Sequence, residues 1–184
     1  IGGGSTECIL WNKMEIIWSR SFDVGVARMS NLFKMTDRFG ADEHEAYDKM
    51  NPYLDDILQP LKVAIENVKP SVLVGSSGSF DTFCSVTNPG EVDVLSDEHP
   101  SATPINMEGF NALCGELMHN SLKERLAMPG MPPDRAENIP YAAAIVRYAL
   151  DCGDIKSMLR SEYALREGVL NRLSRGLSIV PGMA

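Results

Sequence analysis

The stretch Val72-Leu73-Val74-Gly75-Ser76-Ser77-Gly78-Ser79 joins a short apolar run directly to a turn of small residues. The apolar run predicts a buried strand, and the residues after the turn predict a helix to about Val86. A strand, a Gly/Ser turn and a helix in this order place backbone N–H groups at the carboxyl end of a sheet, where open α/β sheets bind ligands. The alternative is a tight turn without a ligand. The candidate phosphate-binding residues are Ser76, Ser77, Gly78 and Ser79.

Around this unit the apolar periodicity predicts an α/β domain, with a hairpin first and then helices alternating with strands. The remaining predicted strands are 7–11, 14–22 and 155–159. The remaining predicted helices are 24–33, 42–68 with a break at Pro60, 106–120, 134–151 and 164–173. Pro52 is expected in a first helical turn behind Asn51, and 87–104 is expected to be a long surface loop.

A second glycine-rich segment, Gly2-Gly3-Gly4-Ser5-Thr6-Glu7, opens the chain. Successive glycines let the backbone turn tightly, and consecutive N–H groups in such a turn form a concavity that holds phosphate. Ser5 and Thr6 add hydroxyl donors, and Glu7 offers a hard oxygen ligand for magnesium. The alternative is a flexible hairpin or linker. Because a folded domain rarely begins inside such a loop, the chain is expected to be a fragment.

The composition excludes several classes of protein. The chain has 184 residues, 44% hydrophobic and 23% charged, which suits one folded domain. Its formal net charge of -8 and the lack of a Lys/Arg cluster argue against nucleic-acid binding, and no apolar run is long enough for a membrane helix. A phosphate site in so acidic a chain must rely on backbone N–H groups, a few arginines and a metal ion.

Four widely spaced cysteines form no CxxC pair, and are therefore expected to be free thiols in a reducing cytoplasm. They are Cys8, Cys84, Cys114 and Cys152.

A third segment, Ala164-Leu165-Arg166-Glu167-Gly168-Val169-Leu170, follows the last predicted strand. Arg166 is a candidate bidentate phosphate ligand, and the alternative is a surface Arg166–Glu167 pair without function.

Taken in order, the glycine loop with its acidic residue, the Gly-Ser-Ser-Gly-Ser turn and the final Ala-Leu-Arg-Glu-Gly-Val-Leu resemble the exopolyphosphatase / guanosine-pentaphosphate phosphohydrolase family. The resembling segments are 1–7, 25–33, 75–79, 128–135 and 161–170, so they span nearly the whole chain. The resemblance implies the actin-like (ribonuclease H-like) fold of the actin–Hsp70–sugar-kinase superfamily, with a mixed sheet and helices on both faces. Residues 1–184 then form a single domain, the second of two lobes.

The resemblance also implies roles for individual residues. The two small-residue loops bind phosphates on one side of a cleft, and Glu7 is the catalytic and metal-binding residue that holds Mg²⁺ and orients water. Arg135 matches a family arginine that faces the cleft, and Arg28 lies in a Gly-x-x-Arg pattern, with either ligand contact or an ion pair open for both. An aspartate that normally precedes Ile1, and the general-base glutamate of the first lobe, are not in this sequence. The chain alone is therefore expected to be inactive.

The partners implied are polyphosphate or guanosine pentaphosphate, between which the sequence does not choose, and the protein's own first lobe. A homodimer is a further expectation, as is a cytoplasmic bacterial protein. Two other functions stay open. One is the ATP-binding lobe of a related kinase, which should lack the Ala-Leu-Arg-Glu-Gly ending. The other is a non-catalytic sensor of phosphate or nucleotide.

Overall fold

The structure is a computed structural model that describes residues 1–33, 43–88 and 101–177. Its strands are β1 (Thr6–Trp11), β2 (Ile16–Phe22), β3 (Leu73–Ser76), β4 (Ala102–Ile105) and β5 (Met158–Ser161). Its helices are α1 (Val26–Leu32), α2 (Glu43–Ile57), α3 (Gln59–Val68), α4 (Gly78–Thr87), α5 (Met107–His119), α6 (Leu122–Leu126), α7 (Ile139–Gly153) and α8 (Leu165–Ser174).

Helix α7 is the centre of the core. It contacts α1, α2, α3, α4 and α5. Ala142, Ala143 and Ala144 in its first half are at most 1% exposed. Because their side chains are single methyl groups, neighbouring helices approach the α7 backbone closely, and larger side chains from those helices fill the space between.

The strands form two sheets in the described part of the chain. β1 and β2 form an antiparallel hairpin in which Glu7 lies opposite Ser21. The second sheet has the order β3-β5-β4, with β3 parallel to β5 and β4 antiparallel to it. The predicted α/β class and mixed sheet are therefore confirmed.

The predicted loop 87–104 is wrong at its end, where β4 pairs with β5. Thr103 and Ile105 are buried while Pro104 between them is exposed, which is the alternation of an edge strand. Pro104 lacks an N–H and argues locally against a strand, but an edge strand tolerates it. Residues 89–100 of the same loop lie outside the described residues.

The predicted and observed structures are also compared at two prolines and at the bounds of α6 and β5. Pro52 lies inside α2 instead of in its first turn, so that prediction is wrong. Pro60 lies in the first turn of α3, which confirms the predicted break. The five-residue helix α6 was not predicted; it depends on a capping box between Ser121 and Glu124. β5 begins three residues later than predicted, at Met158.

None of the four cysteines, all of which lie in the described ranges, forms a disulfide, as predicted: Cys84 and Cys114 are buried, while Cys8 and Cys152 are partly buried. In the ranges that the structure describes, no helix has both the length and the apolar character needed to cross a membrane.

Replacing Ala143 with Leu is expected to lower the free energy of unfolding by about 1–3 kcal/mol, because α7 has no room for a larger side chain. Ala112→Leu is the matched control, since Ala112 is an exposed position of α5. Urea denaturation measures both variants. Equal free energies of unfolding in the two would contradict the central position of α7.

Candidate functional site

The glycine loop, residues 2–5, is fixed by the first turn of α1. The carbonyl of Gly2 accepts from Val26 N at 3.0 Å, and that of Gly3 accepts from Ala27 N at 2.9 Å and Arg28 N at 3.1 Å. These bonds satisfy N–H groups that a helix N-terminus otherwise leaves unpaired.

The same bonds determine where the N–H groups of the loop point. In a trans peptide the C=O and the following N–H point in opposite directions. Because the carbonyls of Gly2 and Gly3 face α1, the N–H groups of Gly3 and Gly4 face away from it. No backbone hydrogen bond within the described ranges uses these two N–H groups. The loop therefore presents consecutive donors of the kind that bind phosphate.

Arg28 contributes to the same arrangement. Its Nε donates to the carbonyl of Gly4 at 3.3 Å, and its Nη2 lies 3.7 Å from Asp23 Oδ1. With the carbonyl of Gly4 directed toward Arg28, the N–H of Ser5 points away as the third donor of the series. Arg28 thus forms the ion pair that was one of the two alternatives for this residue. Its hydrogen bond to Gly4 also fixes the glycine loop.

Gly25 lies directly against the glycine loop. A Cβ at this position would lie 2.5 Å from the carbonyl oxygen of Gly2 and 2.7 Å from that of Gly3. Its φ of -155° is ordinary extended backbone, so the requirement for glycine comes from space and not from conformation.

Glu7 is the second residue of β1, beside the loop, and is exposed. Its Oε1 accepts from Ser5 Oγ at 2.7 Å and from Ser21 Oγ at 3.0 Å. The hydrogen bond from Ser5, and after it that from Ser21, lowers the pKa of Glu7 below its usual range. The result is a carboxylate that is held in place and ionised, with Oε2 directed to no donor among the described residues.

Thr6 has a different role from the predicted one. It is 5% exposed, and its hydroxyl donates to the carbonyl of Val24 at 2.6 Å. The strand alternation turns Thr6 inward and Glu7 outward, so the hydroxyl of Thr6 ties β1 to the segment before α1 instead of facing a phosphate.

The site contains one carboxylate, that of Glu7, of the kind that binds magnesium. The described ranges contain no group of three or more His, Cys, Asp or Glu side chains that could hold a metal ion. Magnesium, however, is usually held by one or two carboxylates together with substrate phosphates and water. Glu7 supplies one such carboxylate next to the N–H donors of the glycine loop.

The second loop, residues 75–79, joins β3 to α4 and contains an unusual backbone conformation. Ser77 has φ 73° and ψ 176°, a region that is almost confined to glycine. Its carbonyl accepts from Phe80 N and Asp81 N, so the following N–H, that of Gly78, points out of the helix start. Gly75 packs against the ring of Phe80, where a Cβ would come within 2.1 Å.

Arg135 lies against this second loop. A Cβ at Gly78 would be 2.5 Å from Nη2 of Arg135, so the guanidinium covers the backbone at the start of α4. Arg135 also pairs with Asp134 at 3.4 Å, and its side chain is 46% exposed. The structure thus brings together two predicted site residues that are far apart in the sequence.

The two loops are connected through α7, which contacts both α1 and α4. Within the described ranges no hydrogen bond or ion pair joins the glycine loop directly to residues 75–79. Their relative position therefore depends on helix packing.

Comparison with known proteins decides the family. A model of the Ppx/GppA phosphatase family matches residues 1–175. The chain belongs to the Ppx/GppA phosphatase family.

Individual members of the Ppx/GppA family show how far the likeness extends. An exopolyphosphatase structure from Cytophaga hutchinsonii is 32% identical, with a TM-score of 0.83, covering 97% of this chain and 56% of that one. An Aquifex aeolicus Ppx/GppA family member is 21% identical, with a TM-score of 0.73, covering 96% and 56%. A Haemophilus influenzae protein described as a "putative exopolyphosphatase" is 26% identical over 97% of this chain and 52% of its own length.

These neighbours confirm the predicted actin-like fold. The chain spans about half the length of the relatives that it matches.

Arg166 of this Ppx/GppA chain remains a predicted phosphate ligand. Its side chain is 84% exposed, and its Nε lies 2.8 Å from Oε1 of the neighbouring Glu167. Glu167 in turn accepts from the N–H of Ala164 at the start of α8. The surface pair considered as the alternative is present in the structure.

Two contributors to the site were missed from the sequence. Ser21 reaches Glu7 because the hairpin register places them opposite each other. The predicted strands 7–11 and 14–22 indicate the hairpin but not this register, because the two-residue turn between them would pair Glu7 with Trp18. Gly25 meets the glycine loop only through the fold, so no local pattern indicates its packing.

Gly25→Ala is expected to lower the free energy of unfolding by about 1–3 kcal/mol, because the added methyl displaces the glycine loop from α1. Gly168→Ala is the control. Gly168 lies within α8, and a Cβ there meets nothing within 4 Å, so the replacement should raise stability by roughly 0.5–1 kcal/mol. Chemical denaturation compares them, and a Gly25→Ala variant as stable as the parent chain would refute the contact.

Ser5→Ala and Ser21→Ala are expected to raise the pKa of Glu7 toward its ordinary value, Ser5→Ala more strongly because its hydrogen bond is the larger cause. The folded-state pKa is the lowered one, so these bonds stabilise the fold above the unfolded-state pKa. That contribution is lost as the pH falls through the folded-state pKa. NMR titration of the Glu7 carboxyl carbon measures the shift. An unchanged titration midpoint in both variants would show that the hydrogen bonds do not form.

Proposed function

We propose that this chain is the phosphate- and magnesium-binding lobe of a phosphohydrolase that removes the terminal phosphate from inorganic polyphosphate or guanosine pentaphosphate. The observation that carries the proposal is the direction of the N–H groups of Gly3, Gly4 and Ser5. Donors fixed before the substrate arrives stabilise developing charge without reorganisation, which is the main source of catalysis in phosphoryl transfer.

Different residues of the chain have different roles in such a reaction. The glycine loop binds and orients the phosphoryl group from one side, and the N–H of Gly78 with the guanidinium of Arg135 binds a neighbouring phosphate. Glu7 would hold the metal ion and orient water through its oxygens. Magnesium, when bound, neutralises negative charge on the phosphate oxygens.

Binding phosphate mainly through backbone N–H groups suits an acidic chain. A net charge of -8 repels a polyanion at long range, whereas backbone N–H groups attract phosphate only at short range. Attraction is therefore concentrated at the two loops and the arginines beside them. The general base is assigned to a glutamate of the first lobe, the protein's own partner in this proposal.

The test uses a protein of the relatives' full length that contains this chain. Phosphate release from polyphosphate and from guanosine pentaphosphate is measured with Mg²⁺ and with a chelator. Magnesium-dependent release is expected, and Glu7→Gln should lower kcat by about a hundredfold or more, because a metal-binding carboxylate is lost. Glu15→Gln, in the exposed hairpin turn, is the matched control and should be unchanged.

Two outcomes would contradict the proposal. Consumption of ATP with no release from either substrate would indicate a kinase. Ligand binding without turnover in the parent protein would indicate a sensor.

A further inference from the structure

Arg160, on the middle strand of the second sheet, contacts α4 and β4 through its side chain. It lies on β5 between Gly75 of β3 and Thr103 of β4. Its side chain is only 14% exposed. Nη1 lies 3.4 Å from Asp81 Oδ1 on α4, and Nη2 donates to Thr103 Oγ1 at 3.1 Å.

Asp81 makes this network relevant to the second loop. It lies in the first turn of α4, two residues after the end of the loop formed by residues 75–79. The glycine-like backbone of Ser77 needs support from the surrounding structure, since such a conformation costs about 1–3 kcal/mol. The ring of Phe80 against Gly75 supplies apolar support, and Arg160 supplies polar support through Asp81.

The charge around Arg160 argues against direct contact with a phosphate. Nη2 lies 3.7 Å from Glu162 Oε1, so two carboxylates, those of Asp81 and Glu162, are close to one guanidinium. Their negative charge offsets that of Arg160, and Nη1 and Nη2 are both directed at protein oxygens. Arg135, which lies on Gly78 and is far more exposed, is the better placed ligand.

We propose that Arg160 is a positioning residue for phosphate binding. Through Asp81 and Thr103 it ties the first turn of α4 to β4 and β5, and it thereby fixes the N–H groups that the second loop presents. The inference rests on the proposed function of that loop. A planar guanidinium can reach Asp81 and Thr103 at once, whereas the single ammonium group of a lysine is a compact point charge that cannot span both.

The experiment compares the parent chain with Arg160→Lys, Thr103→Val and Thr103→Ser. Thr103→Val removes the hydroxyl at almost constant shape, so it keeps the test valid if Arg160→Lys folds poorly, and Thr103→Ser restores the hydroxyl. Arg147→Lys is the control, because the ion pair of Arg147 with Asp151 lies within α7. Thermal midpoints, amide chemical shifts without ligand, and calorimetric affinity for tripolyphosphate with Mg²⁺ are measured.

Arg160→Lys and Thr103→Val are expected to shift the amide signals of residues 76–79 in the absence of ligand. They should also weaken tripolyphosphate binding by about tenfold, the effect of one lost hydrogen bond to a charged group. Thr103→Ser should bind like the parent chain, and Arg147→Lys should change neither property. A purely structural role would lower the thermal midpoint without this selective loss and rescue.

Parent-like affinity in both Arg160→Lys and Thr103→Val would overturn the inference and leave the proposed function intact. Failure of the parent chain to bind tripolyphosphate would instead overturn the proposed function. In that case unmoved amide signals of residues 76–79 would overturn the positioning role as well, and moved signals would uphold it.

Discussion

The packing of α7 is the constraint on which the rest of the structure depends. Its buried alanines allow α1, α2, α3, α4 and α5 to approach one helix. Two of these neighbours carry the candidate site, because α1 fixes the glycine loop and α4 begins at the second loop. Since close-packed interiors transmit small displacements, a shift of α7 would change the separation of the two loops. The relative position of the two loops is in this way determined by the hydrophobic core and not by contacts between the loops.

In the proposed function of this Ppx/GppA chain, phosphate recognition relies on orientation more than on charge. The first turn of α1 donates to the carbonyls of Gly2 and Gly3, and the peptide planes then turn the next N–H groups outward. Gly25 makes the close approach possible, and Arg28 extends the pattern to Ser5. The carboxylate of Glu7 lies beside the glycine loop, and Ser5 and Ser21 hold one of its oxygens.

The sequence predicted what local patterns determine and missed what distant contacts determine. The hairpin, the helix predicted over 106–120 and the break at Pro60 follow from neighbouring residues, and all three are present. β4 was missed because Pro104 opposes a strand locally, while pairing with β5 decides the outcome. Thr6 was assigned to the phosphate because residue type alone does not reveal which face of β1 is buried. The resemblance identified Arg135, but only the fold shows that it lies on Gly78.

In the proposed function, two separate loops act as one phosphate-binding surface. Amide chemical-shift mapping of the chain during titration with pyrophosphate and Mg²⁺ tests it most directly. Saturable shifts with one common dissociation constant are expected at Gly3, Gly4 and Ser5 and at residues 77–79. Shifts confined to one loop, with different dissociation constants for the two loops, or with their maximum elsewhere in the chain, would contradict the claim.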